Sequence, residues 1–388
     1  MKRQTTVEHA LRAAMPSALL EIVTVTLGEQ YGAARVELRL ADYGMRSLQA
    51  VETVPYTTKP VMIHDSPQGR AFGSQEAQVM ADPDGHAVTV HFPVTVRGDR
   101  MGILSVTFPE DRYADALIPE VQHICEVLGH EILVAERDTD LYVLARRAAR
   151  LTLAAEMQWQ LLPGRACSRP EFALGGHLEP AYSIFGDNFD WSADQDHLTL
   201  TVTNGMGEGI EAALLTNLVV NAMRNARRAG LGLADQACLA DQAVYAQYRG
   251  AAHVSVLLLR FDLATGEVEA VDAGSPRLWR LRDKKVVDMS LEAQFPLGMF
   301  EDTEYTAQHF QVLPGDRLLI GSDGVYDTLS SASEKYGERA LARSLMATSL
   351  LPPPQVPGAI LRELATYRGE TPLDDDALVV CLDWYGRP

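Results

Sequence analysis

The chain has 388 residues, 47% hydrophobic and 22% charged, with a formal net charge of -18 at pH 7. That length exceeds one ordinary core, so two domains are expected. The acid excess excludes nucleic acid as the main partner, because phosphate backbones are bound by cationic surface, and no window approaches the roughly 20 consecutive apolar residues of a membrane span.

The opening MKRQTTVEHALRAAM lacks the apolar segment of a secretory signal, which leads us to expect a cytoplasmic protein without a membrane partner. Cys125, Cys167, Cys238 and Cys381 are scattered without C-x-x-C pairing, a pattern of neither zinc site nor disulfide framework. Residues 8–28 are helical in pattern, and ARVELRL (Ala34 to Leu40) alternates as a strand does. Two further strands are expected over Ala87 to Phe108 around a turn at Arg97-Gly98-Asp99. A helix from near Tyr113 then carries Leu117, Val121, Ile124 and Leu128 on one face. Helix, antiparallel strands and closing helix make an α/β module over residues 1–138, and with HDSPQGRAFGSQEAQVM ahead of the strand pair this order resembles the GAF family of sensor modules. The resemblance implies a small-molecule ligand or a dimerisation role for this part.

Over residues 139–163, Leu141, Leu144, Ala148, Leu151, Ala155, Gln158 and Leu162 step by three and four as a heptad seam, stopped by Pro163-Gly164. A helical linker that pairs two chains in a parallel homodimer is one expectation; a lone helix lying on a domain is the other. Residues 164–388 alternate strands and helices. VSVLLLRFDLATGEVEAVDAG (Val254 to Gly274) reads as a hairpin around Ala264-Thr265-Gly266, and LLPPPQVPG (Leu350 to Gly358) as a proline-stiffened connector. The fold class expected is α+β, with a β-rich second half covered by helices.

The stretch LTLTVTNGMGEGIEAALLTNLVVNAM (Leu198 to Met223) joins an alternating strand to a helix with Ile210, Leu214, Leu218 and Ala222 on one face. The loop between them, with Gly205, Gly207 and Gly209, suits phosphate, metal or a plain turn. It misses the G-x-G-x-x-G spacing because Ile210 stands at the third position, and it has no Gly-Lys-Ser/Thr. Four places put carboxylates or amides at strand ends: Asp187 and Asp190, Asn204, Asp323, and Asp374 to Asp376. Oxygen-rich sites of this kind suit magnesium or manganese, and two such ions about 3.5–4 Å apart can clamp a phosphate for hydrolysis. Taken singly, each is as readily a turn or a solvated loop.

In their order these stretches resemble the PPM-type metal-dependent protein phosphatases, in their bacterial SpoIIE-like branch. The correspondence runs through Gly186-Asp187 with Asp190, Thr203-Asn204 with Gly207-Glu208-Gly209, Ala273-Gly274-Ser275, Leu297-Gly298, Ser322-Asp323-Gly324 and Asp374-Asp375, and LAAEMQWQLLPG (Leu153 to Gly164) is similar to the family's entering helix. The resemblance implies a β-sandwich flanked by helices and a Mn2+- or Mg2+-dependent serine/threonine phosphoprotein phosphatase that attacks with an activated water and forms no covalent intermediate. It implies Asp187, Asn204, Asp323 and Asp374 as catalytic residues, joined by Gly205 and Asp375 as metal ligands. A phosphorylated regulator of the anti-sigma-factor-antagonist type is the implied substrate, with control by the N-terminal module. This chain departs from the family at Asn204, where an aspartate bridges the metals, at Glu208 and Ser275, where histidines stand, and at Phe185, where a glycine stands. An amide bridges two cations poorly, so a pseudophosphatase that binds without turnover is the alternative.

Overall fold

The computed structural model describes residues 2–52, 57–82, 85–179, 186–370 and 375–387, and the chain divides into two compact units, Met1–Arg150 and Leu151–Pro388. Phe185 and Asp374, singled out above, lie outside the described residues. None of the described helices is long and apolar enough to cross a membrane.

The first unit opens with helices Lys2–Ala13 (α1) and Leu19–Tyr31 (α2). The single helix expected over 8–28 is broken at Pro16, which starts a 3-10 turn after an extended Met15; proline is tolerated in a first helical turn and not in an interior. Along α2, Leu19, Val23, Leu27 and Tyr31 are buried at a step of four, so one stripe faces the core and each aliphatic member stabilises by about 1.5–3 kcal/mol. Strands Arg35–Ala41 (β1), Ser47–Ala50 (β2) and Val61–Met62 (β3), helix Pro67–Ser74 (α3), strands Gln78–Ala81 (β4), Ala87–Val96 (β5) and Asp99–Pro109 (β6), and helices Leu117–Ala135 (α4) and Leu141–Ala145 (α5) follow. The antiparallel sheet runs β3-β2-β1-β6-β5-β4. The hairpin expected at Arg97-Gly98-Asp99 forms with Val96 opposite Asp99. One face packs Leu38, Leu40, Val90, Phe92 and Leu104 with the residues of α2 and α4; the other holds Ala41 and Ile103 with Ala71 and Phe72 of α3.

The heptad seam does not form one helix, which corrects the expected continuous linker. α5 stops at Ala145, and the next helix, Leu153–Leu161 (α6), starts only after Thr152. Two local interactions outweigh the pattern. The Arg146 carbonyl is taken by the amide of Tyr43, and Thr152, extended at ψ 162°, caps α6 by accepting from Ala155 N at 3.2 Å, a contact worth about 1 kcal/mol.

In the second unit α6 is followed by strands Ala166–Ser168 (β7), Phe172–Glu179 (β8), Asn188–Ala193 (β9) and His197–Gly205 (β10), then helices Gly209–Arg228 (α7) and Leu233–Tyr248 (α8). Strands Val254–Asp262 (β11), Glu267–Ala273 (β12), Arg277–Arg282 (β13), Lys285–Asp288 (β14), Gln308–Gln311 (β15) and Arg317–Gly321 (β16) lead into helices Asp323–Tyr326 (α9), Ala340–Ala347 (α10) and Val356–Arg368 (α11) and strand Ala377–Trp384 (β17). The proline-rich connector is therefore partly helical, with Pro357 inside the first turn of α11. Two antiparallel sheets, β15-β12-β11-β10-β9 and β14-β13-β16-β17-β8-β7, enclose a core of Phe189, Leu200, Val202, Leu257, Leu259, Leu318, Ile320, Leu378 and Val380. The strands alternate, so their outer faces are apolar too. α7 and α8 cover Val256, Leu258 and Val271, while α10 and α11 cover Leu319, Val379 and Cys381. The result is a β-sandwich with a helical layer on each side.

Candidate active site

Strand parity decides which acidic residues meet. Phe189 of β9, Leu200 and Val202 of β10, Ile320 of β16 and Leu378 of β17 point into the sandwich, so Asp187, Asn204 and Asp376, an even number of steps away, continue those inner faces at one open end. Asp190, three residues after Asp187, falls on the opposite face. It is 3% exposed and accepts from Arg224 at 2.7 Å and Arg227 at 3.1 Å, both on α7. Arg224 also donates to the Leu161 carbonyl at the end of α6. Asp190 is therefore an anchor for helices, and the sequence pairing of Asp187 with Asp190 as one acidic group is corrected.

Two close backbone approaches assemble the end of the sandwich. Gly186 holds φ +131°, a conformation that favours glycine, and a Cβ there would sit 2.4 Å from the Gly205 carbonyl. The Gly186 carbonyl accepts from Gly205 N at 3.2 Å and from the buried Thr216 hydroxyl of α7 at 2.8 Å. A Cβ on Gly324 would lie 1.9 Å from the Asp376 carbonyl, so α9 and the start of β17 touch backbone to backbone. Asp376, fully buried, accepts from Gly186 N at 3.0 Å and Asp187 N at 3.3 Å. Ser322, at the end of β16, donates to the Asp376 carbonyl at 3.3 Å and accepts from Leu378 N at 3.0 Å.

This framework crowds carboxylates with little to offset them. Asp187 is 2% exposed, and burial first, then the charge of Asp376, push its carboxyl well above the ordinary range; Asp375 and Asp323 add to this and only a hydrogen bond with Ser322 opposes it. Its Oδ2 has no hydrogen-bond partner among the described residues. Asp375 is raised by burial and by Asp323, against a hydrogen bond from the Asp376 amide. Asn204 donates from Nδ2 to Asp323 Oδ1 at 2.5 Å, and Asp323 also accepts from Gly324 N at 3.0 Å.

A buried carboxylate oxygen without a donor, facing like charges, is the environment a hard divalent cation offsets. The donor set fits such an ion in part. Asp187, Asp323 and Asp375 supply carboxylates, but among the described residues no group of three or more acidic, histidine or cysteine side chains is arranged as a ready ligand set. The Asn204 amide occupies Asp323 in the place where a second charge would converge with it.

The sequence-derived residues are thus brought together at Asp187, Asn204, Gly205, Asp323 and Asp375. Glu208 is exposed and its side chain caps nothing at the start of α7. Ser275 has a buried hydroxyl without a partner among the described residues, while its carbonyl accepts from Tyr326 at 2.7 Å. Sequence reasoning missed the Asp376 bracket, Ser322, Thr216 and the two arginines on Asp190. Asp376 has the inner parity of Leu378, but the unbroken apolar run from Ala377 to Leu382 hides that parity in the sequence.

Comparisons with known proteins point to the same segment. Residues 194–385 match the family model described as Stage II sporulation protein E (SpoIIE). Phosphoserine phosphatase RsbU of Bacillus subtilis (strain 168) is 20% identical over 200 residues, covering 51% of this chain and 60% of that protein. Phosphoserine phosphatase RsbP of the same organism is 26% identical over 164 residues, covering 41% of this chain and 40% of that protein. The chain therefore spans less than two thirds of either relative. The solved SiaA-PP2C domain of Pseudomonas aeruginosa superposes with a TM-score of 0.51 at 21% identity, over 60% of this chain and 94% of that one. Sandwich, acidic end and family match coincide: the C-terminal part of this chain has a PP2C-like fold, and residues 194–385 within it resemble the SpoIIE family.

Proposed function

We propose that the chain is a metal-dependent serine/threonine phosphoprotein phosphatase whose substrate is a phosphorylated regulatory protein of the partner-switching type. The observation that carries this reading is Asp187, buried with an unpartnered Oδ2 among Asp323, Asp375 and Asp376, at the open end of a fold shared with phosphatases. Mn2+ or Mg2+ bound there supplies Lewis acidity toward a phosphoryl oxygen and toward water. Asp187 and Asp375 would hold the ion, with Asp323 beside them. Asp376 fixes the Gly186 and Asp187 amides, and Ser322 ties the Asp376 backbone to β17. Asn204 contributes one negative charge fewer than a carboxylate would, so one ion bound weakly is the expected state. Support for the substrate class comes from the names of the aligned relatives, both phosphoserine phosphatases.

The test is manganese calorimetry on the full chain together with release of phosphate from a phosphoserine peptide. Millimolar binding with slow, metal-dependent hydrolysis is expected. Absence of hydrolysis at millimolar Mn2+ would leave the second reading, a pseudophosphatase that binds a phosphoprotein, which the Asn204 to Asp323 hydrogen bond favours.

For the first unit we read a GAF-like sensor. Its support is the antiparallel sheet with α2 and α4 on one face and α3 on the other.

A further inference from the structure

The acidic end of the sandwich carries one cation that nothing described neutralises. Arg277 opens β13, lies opposite Gly321 in register and so two residues ahead of Asp323, and is exposed. It forms no ion pair with a described residue. Its guanidinium stacks 4.3 Å over the ring of Tyr326, and that ring is itself fixed. Trp279 packs edge-on at 6.0 Å, and the Tyr326 hydroxyl donates to the Ser275 carbonyl at 2.7 Å. Burial raises the Tyr326 phenol, and the contact with Ser275 opposes this ahead of the smaller, opposite effects of Asp323 and Arg277. Tyr326 closes the single turn of α9 that Asp323 opens, so the ring that carries the guanidinium belongs to the same short helix as the acidic residue. Ser275, two residues before Arg277, has a buried hydroxyl without a partner among the described residues.

We propose that Arg277, held on Tyr326 with the Ser275 hydroxyl beside it, is the phosphate-binding residue that receives the substrate's phosphoryl oxygens at the rim of the Asp187 and Asp323 cluster. This rests on the phosphatase reading and adds a substrate contact to it. A dianionic phosphate approaching four aspartates needs cationic charge beyond what one weakly held ion supplies. A guanidinium provides it as a planar fork, and stacking on Tyr326 lowers the ordering cost of presenting that fork. The pairing of a fixed arginine with an exposed position distinguishes Arg277 from Arg224 and Arg227, whose charges are spent on Asp190.

The experiment compares the full chain with Arg277→Met, which keeps an apolar cover on Tyr326 without the charge, and Arg277→Lys, which keeps the charge without the fork. Each is loaded with Mn2+ and titrated with inorganic phosphate by calorimetry, and KM and kcat are measured on a phosphoserine peptide. Arg277→Met should weaken phosphate binding and raise KM by about tenfold or more, with Arg277→Lys between it and the parent, while Mn2+ affinity and thermal midpoint stay unchanged. Unaltered phosphate binding in Arg277→Met would overturn the proposal, as would a parent chain that takes up no phosphate. Hydrolysis that ignores Arg277 would leave the phosphatase standing without this residue. Arg277-dependent phosphate binding without hydrolysis would sustain the phosphate site and remove the enzyme.

Discussion

Two aspartates, one in each unit, are buried alike and surrounded oppositely. Asp42 of the first unit is 1% exposed and Asp187 of the second 2%. Asp42 accepts from the amides of Gly44, Arg46 and Ser47 at 2.9, 2.9 and 2.6 Å and from the Ser47 hydroxyl at 3.2 Å, and so closes the turn between β1 and β2. Asp187 has a carboxylate oxygen with no donor and three acidic neighbours. Depth alone does not mark a functional carboxylate. The balance of donors does, because a buried charge with hydrogen bonds stabilises its surroundings and one without them costs free energy until something binds.

Replacing each residue should give effects of opposite sign. Asp42→Ala strands three backbone amides and should destabilise the first unit by about 3 kcal/mol or more, since each unsatisfied buried donor costs roughly 1–3 kcal/mol. Asp187→Asn removes a crowded charge and should raise the metal-free stability of the second unit by about 1 kcal/mol, as relief of site strain commonly does, while abolishing any shift on adding Mn2+. Denaturant melts followed by domain-resolved hydrogen exchange separate the two. Loss of stability in Asp187→Asn would break the contrast.

Next in size is Asn204→Asp. It removes the donor that Asp323 now accepts and adds a like charge, so the metal-free protein should lose about 1–2 kcal/mol. Manganese should bind about tenfold tighter or better, because affinity for hard cations follows ligand charge. Calorimetry reads both changes. Destabilisation without tighter binding would mean that Asn204 is structural and that the ion site lies elsewhere.

The same contrast shows what the sequence carried. The hairpin at Arg97-Gly98 and the strands of both sheets were legible because turn residues and alternation are local. Asp187, Asn204 and Asp323 were legible through their places at strand ends. Three consecutive aspartates, by contrast, leave the choice among Asp374, Asp375 and Asp376 to strand register, and only pairing of Ala377 with Glu179 sets which of them turns inward. The ion pairs of Asp190 with Arg224 and Arg227 span more than thirty residues of sequence and left no local mark. The seam after Asp140 misled for a related reason: period 3.5 records what a helix would bury and not the Tyr43 and Thr152 contacts that end it.

Thr152 offers a smaller test. Thr152→Ala should cost about 1 kcal/mol through the lost cap, and the cost should appear in the second unit, where α6 belongs. If the seam were instead one continuous helix, an alanine there would stabilise it through better propensity, so the sign of the change decides between the two descriptions.

The smallest effect expected concerns His91, the buried histidine of β5. Its Nδ1 lies 2.8 Å from the Ser105 hydroxyl, and burial holds its pKa below the ordinary 6.5, with Glu37 opposing and Arg70 reinforcing. The folded state therefore resists a proton that the unfolded chain accepts. Stability from the neutral ring is complete above the unfolded pKa and declines as pH falls through it toward the folded value. The first unit should soften as pH drops below about 6.5, and His91→Gln, which has no proton to gain, should flatten that slope. Manganese should leave this slope unchanged, because the ion stabilises only the unit that binds it. A manganese-dependent shift in the first unit's exchange rates would show that the two carboxylate environments contrasted above are energetically linked.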